Sequence, residues 1–186
     1  MRTRARVTAA AVVVSTGVLV AQASLILDQS SPTQVPPASF SIAVGGPVSQ
    51  VVSQTVTAGV SGRLRAVEVP IGCSSGTLIL EVRDVDGIGQ PGPTLFFSDS
   101  YDIADFPPPT TDAFRRIRLR GMPVTFAAGD RFTISLSNPT GECGLWPGPA
   151  GDPYAGGMGW ADSTDGPIVP LSTGGTDDIP FRTLVQ

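Results

Sequence analysis

Apolar and polar residues alternate in several short stretches of this 186-residue chain, and each such stretch predicts a β-strand. Over 77–83, Leu78, Leu80 and Val82 share one face and Glu81 and Arg83 the other. Over 131–137, Phe132, Ile134 and Leu136 point to a core, and Thr133, Ser135 and Ser137 to water. Ile117 and Leu119 alternate with Arg116, Arg118 and Arg120, and Phe181, Thr183 and Val185 form one face of a terminal strand. One polar face per strand is the pattern of antiparallel sheet with one side solvated. Between Gly62 and Ile71, Leu64 and Val67 are out of phase, which predicts a bulge near Arg65.

Further strands are expected at 40–44, 51–57, 94–98 and 168–171. Asp86-Gly87 reads as a hairpin turn. Twenty-two glycines and 18 prolines interrupt any long helix. Two stretches lack strand periodicity. Residues 100–112, with Pro107-Pro108-Pro109, read as a loop of polyproline character. Residues 138–165 are long and Gly-rich and hold Cys143, Trp146, Tyr154 and Trp160. Long loops in small domains often carry function, so this one is the expected site. Many short strands between turns predict an all-β antiparallel β-sandwich, jelly-roll-like in its wrapping.

The first 23 residues break the pattern. Arg2, Arg4 and Arg6 precede an apolar run over 7–20 and an Ala21-Gln22-Ala23 cleavage signal, the layout of a secretory signal peptide. The organisation is read as signal peptide 1–23, flexible lead-in 24–38 and one sandwich domain 39–186. Export changes the meaning of the only two cysteines, Cys73 and Cys143. Outside the cytoplasm they are expected to form a disulfide. No lipid-attachment cysteine, glycosylation site or hydrophobic tail is evident, and a freely soluble exported protein is expected.

Charge and composition narrow the chemistry. Without the three leader arginines, nine arginines face 16 acids, a net charge of −7. That disfavours nucleic acid and anionic membrane surfaces as partners. The absence of histidine removes the common nucleophile systems and His-ligated metals.

Leu27-Asp28-Gln29, Gln54-Thr55-Val56-Thr57-Ala58-Gly59 with Gly62 and Leu64, and Ala128-Gly129-Asp130-Arg131-Phe132-Thr133-Ile134 follow one another along the chain. Tyr154-Ala155-Gly156-Gly157, Trp160 and Asp178-Ile179-Pro180-Phe181-Arg182-Thr183 complete the series. In this order the chain resembles exported bacterial jelly-roll-type β-sandwich domains of cell-surface proteins with variable C-terminal anchors. The resemblance implies a sandwich and bacterial export. It implies no reaction and no catalytic residue, and no C-terminal anchor is expected for this chain.

Candidate sites follow. Trp146, Tyr154 and Trp160 have the makings of a sugar-stacking platform, or else pack as core rings under their own loop. Asp162, Asp165, Asp177 and Asp178 are weak calcium candidates or ordinary turn residues. Asp84-Val85-Asp86-Gly87 fails the EF-hand spacing. Arg116, Arg118 and Arg120 form a cationic strip that either meets an anionic glycan or pairs with the surplus acids. The three glutamates Glu68, Glu81 and Glu142 show no catalytic spacing. The expectation is a secreted, non-catalytic module without cofactor or metal, binding an extracellular glycan or surface protein. The alternatives are a structural surface domain without a small ligand and, third, a glycoside hydrolase-like enzyme.

Overall fold

The computed structural model describes residues 24–33, 42–106, 113–121, 124–162, 166–171 and 177–186. The expected signal peptide, residues 107–112 of the proline-rich loop and Asp165 lie outside them. Among the described residues the strands are β1 (Ile26–Ser31), β2 (Ile42–Gly45), β3 (Val51–Thr57), β4 (Gly62–Val69), β5 (Ile71–Cys73), β6 (Thr77–Val85) and β7 (Pro91–Asp102). They continue as β8 (Arg115–Arg118), β9 (Val124–Phe126), β10 (Arg131–Ser137), β11 (Glu142–Leu145), β12 (Gly159–Asp162), β13 (Val169–Pro170) and β14 (Phe181–Val185). The protein is an all-β antiparallel sandwich. One sheet runs β1-β14-β4-β8 with β9 also on β4, the second runs β13-β12-β3-β10-β6-β7, and a small third is β2-β11-β5. The chain crosses between the two large sheets several times, from β3 to β4, from β7 to β8, from β9 to β10 and from β13 to β14.

The alternating strands fall where their periods put them. Phe132, Ile134 and Leu136 of β10 lie between Val52 and Val56 of β3 and Leu80 and Val82 of β6 in register, and all are buried. Leu64, Val67, Ile117, Phe181 and Val185 supply the facing side of the core. Burying one such side chain stabilises by roughly 1.5–3 kcal/mol. The expected bulge is present. Leu64 pairs with Val185 and Ala66 with Leu184, which leaves Arg65 as the extra residue. The bulge lets both Leu64 and Val67 face inward. It also marks where β4 changes partner from β9 to β8.

Three readings need correction. Residues 26–31, assigned to a flexible lead-in, form β1 on the edge of β14, with Asp28 Oδ1 accepting the N–H groups of Gly59 and Val60 at 2.9 and 2.8 Å. The stretch 138–165 is not one loop, because β11 and β12 lie inside it. Their short, Gly-containing segments carry little period-two signal and are specified by long-range pairing with β2, β5 and β3. Likewise β7 continues through Asp102, past the expected loop start at Ser100.

Cys73 and Cys143 are directly opposite in β5 and β11 and form a disulfide, with 3.9 Å between Cα atoms. The bridge closes a 70-residue separation, worth roughly 4 kcal/mol in the chain-entropy account. It is buried, which accords with an extracytoplasmic setting. Asn138 braces it, donating from Nδ2 to Cys143 Sγ at 3.2 Å and to Ser75 O at 2.7 Å, and accepting Thr77 N–H at Oδ1.

Candidate functional site

The period of two that sends Phe132, Ile134 and Leu136 inward sends their neighbours to the outer face of the six-stranded sheet. Trp160 of β12 stands opposite Ser53 of β3, Ser53 opposite Ser135 of β10, and Ser135 opposite Glu81 of β6. Asp162 lies beside Trp160's row, opposite Val51. The hydroxyls of Thr133 and Ser135 were expected in water. They occupy the expected face but are buried, as are Ser53 and Thr55.

The cover comes from the β6–β7 connection and from β12. Asp86 shapes the turn, as its sequence suggested: its Oδ1 accepts the N–H groups of Ile88 and Gln90 at 3.0 and 2.8 Å. Gly89 follows with φ +96°, a backbone conformation glycine adopts without strain. Its carbonyl accepts the Thr55 hydroxyl at 2.6 Å, and Thr55 Oγ1 accepts Trp160 Nε1–H at 3.0 Å. One threonine therefore ties the hairpin and the indole to the same strand. Behind it, a Cβ on Gly157 would run into Thr55 O, so only glycine lets the chain before β12 approach β3 this closely.

Two clefts result, and Trp160 lines both. The first, about 240 Å³, is polar: Glu81, Arg83, Asp162, Ser53 and Ser135 converge in it. Arg83 Nε donates to Glu81 Oε2 at 2.8 Å, and the Ser53 hydroxyl donates to Ser135 Oγ at 2.8 Å. The second, about 560 Å³, lies on the other side of the indole between the hairpin tip and residues 155–158. Arg131 is its charged residue, and Ile88 and Met158 are exposed at its rim.

The three expected aromatics do not form a platform. Trp160 is 6 % exposed, held between the clefts. Tyr154 is a core ring, edge-on to Phe181 at 4.9 Å, with its hydroxyl donating to Thr57 O at 3.2 Å and accepting Thr57 N–H at 3.1 Å. Burial pushes its phenol pKa up. Trp146 is half-buried beside the small sheet, its backbone N–H donating to Pro70 O at 3.0 Å, and lines neither cleft.

The four acids are also separated. Asp162 faces the first cleft and Asp177 is exposed in a turn. Asp178 is fully buried inside the sandwich: Oδ1 accepts Gln54 Nε2–H at 2.7 Å and Oδ2 accepts Tyr154 N–H at 3.0 Å. Gln54 Oε1 in turn accepts Ile179 N–H at 2.9 Å. Burial raises the Asp178 pKa to about 6, with nearby Asp152 adding to the rise and the Gln54 and Tyr154 bonds opposing it. Among the described residues no group of three or more acids or cysteines is placed to hold a metal ion.

The cationic strip divides. Arg116 Nη2 meets Glu68 Oε1 at 2.8 Å, Arg182 Nη1 approaches Glu68 Oε2 at 3.5 Å, and Arg120 lies over the Tyr101 ring. The reading that paired the strip with surplus acid describes Arg116. Sequence reasoning found Trp160 but missed Glu81, Arg83 and Arg131 as partners in its surroundings. The signal for them was their shared odd-numbered phase on β6 and β10, which points both pairs of strands' polar residues to one face. Comparison with protein-family models, with curated proteins and with solved structures finds no match for this chain.

Proposed function

We propose that this is a secreted, non-catalytic β-sandwich module that binds a saccharide across the outer face of its six-stranded sheet. The observation that carries the reading is Trp160, wedged between two clefts with a carboxylate, a guanidinium and a serine pair arrayed along one of them. Sugar hydroxyls both donate and accept, and a recess offering Glu81, Arg83, Asp162 and hydroxyls answers both needs. Trp160 offers an indole edge, not an open stacking face, to the ligand's C–H groups. The disulfide, the signal-like leader and the resemblance to exported cell-surface domains support the extracellular setting.

The non-catalytic part of the reading rests on Glu81, whose carboxylate is held by Arg83 Nε at 2.8 Å. A carboxylate committed to a guanidinium suits framing a ligand more than proton transfer to, or attack on, a glycosidic bond.

With only two tryptophans, W146F isolates the emission of Trp160. Titration of W146F with a panel of soluble neutral and acidic oligosaccharides is expected to quench or shift that emission, with calorimetry giving the affinity. Trp160→Phe and Glu81→Gln, checked for a retained β-type spectrum, should each weaken the binding about tenfold, the scale of one good contact. A folded protein that answers no oligosaccharide in either measurement overturns the reading. The burial of the Tyr154 and Trp160 rings favours a second reading, a structural surface domain without a small ligand, and that result would support it.

A further inference from the structure

The two clefts differ in charge, and the difference names a ligand feature. The first pairs its arginine with a glutamate. The second has no carboxylate among its lining residues, and Arg131 forms no salt bridge among the described residues. Its guanidinium lies beside Gly89: a Cβ there would stand 3.2 Å from Arg131 Nη2 and 3.9 Å from Trp160 Cζ2. Cation and indole edge therefore flank one point of bare backbone at the mouth of the cleft. Ile88, 74 % exposed, and Met158, 39 % exposed, complete an apolar rim with Pro170. At about 560 Å³ the cleft falls within the ~300–1,000 Å³ range of small-molecule sites.

We infer that this second cleft is a subsite for a carboxylate-bearing sugar unit, a uronate, in a saccharide chain that continues past Trp160 into the first cleft. The inference rests on the saccharide reading above and adds the ligand's charge and polarity. A planar carboxylate matches the guanidinium fork with two parallel hydrogen bonds, and the rim takes the C–H face of the same ring. Glu81 and Asp162 in the first cleft disfavour a second carboxylate there, so the chain is expected to be seated in one direction.

The test uses oligomers of galacturonate, glucuronate and mannuronate, each beside its carboxyl-reduced counterpart, in which the carboxylate becomes a CH₂OH group. At least one acidic oligomer should bind the parent protein tenfold or more tighter than its reduced form, with the preference shrinking as NaCl is raised. Arg131→Gln, an exposed position where folding is not at stake, should bring the two within threefold, chiefly by weakening the acidic oligomer. Reduced oligomers that bind as tightly as the acids, or a preference that survives R131Q, overturn the subsite while leaving the saccharide reading intact. Failure of every oligomer, acidic and reduced, to bind or to move Trp160 emission overturns the subsite, and the same silence across the whole neutral and acidic panel overturns both.

Discussion

The two large sheets present opposite outer faces built from the same kind of sequence. On the β1-β14-β4-β8 sheet, Arg182, Glu68 and Arg116 stand in register across three strands, and both arginine side chains remain over 40 % exposed. On the other sheet Ser53, Thr55, Thr133 and Ser135 occupy equivalent outward positions and are buried. The first face is finished when its strands pair. The second is covered, because the β6–β7 hairpin reaches back over β3 and the 155–158 segment closes on it. Polar residues on a wet face interact weakly and independently, whereas polar residues under a cover must satisfy one another. That obligation builds the chain of bonds from Trp160 through Thr55 to Gly89, and with it the walls of both clefts.

The largest expected effect comes from breaking that chain. Thr55→Val keeps the shape but orphans Trp160 Nε1–H and Gly89 O, at about 1–3 kcal/mol for each buried group. Thermal unfolding should drop by roughly 4–24 °C, given about 2–4 °C per kcal/mol for a domain of this size. A Tm within 2 °C of the parent would mean that water satisfies these groups and the cover is loose.

A smaller effect is expected from pH. Asp178, beneath the covered sheet, has a folded pKa of about 6 against an ordinary carboxylate value near 4, so the folded state binds its proton more tightly. The stability this proton brings is fully present below about pH 4 and is lost as pH rises through 6. Between pH 7.5 and 5 the protein should gain about 1 kcal/mol, and Asp178→Asn should flatten that slope even though it weakens the fold at every pH. The same slope in D178N would assign the dependence to another group.

The smallest effect is on the wet face. Glu68→Gln removes both ion pairs from exposed arginines, and the change should stay below about 1 kcal/mol and shrink further in salt. A loss as large as that of T55V would erase the contrast between the faces.

Local pattern carried much of the fold. The strands of β6, β10 and β14, the bulge at Arg65 and the turn at Asp86 follow from period two and from turn chemistry, which act over a few residues. With only two cysteines in the chain, the bridge had one possible partner choice. Several residues of the short motifs are structural in this fold: Asp28 caps the turn at Gly59 and Val60, Asp130 accepts Ala127 N–H, and Gln54 meets Asp178. Tertiary structure alone decided the rest. Residues 142–145 and 159–162 became strands through partners far away in the chain. Tyr154 went to the core while Trp160 went to the clefts, and Asp178 joined Gln54 across 124 residues. Alternation states which side chains share a face. Whether that face meets water or a returning hairpin depends on contacts between distant segments, and no local period records them.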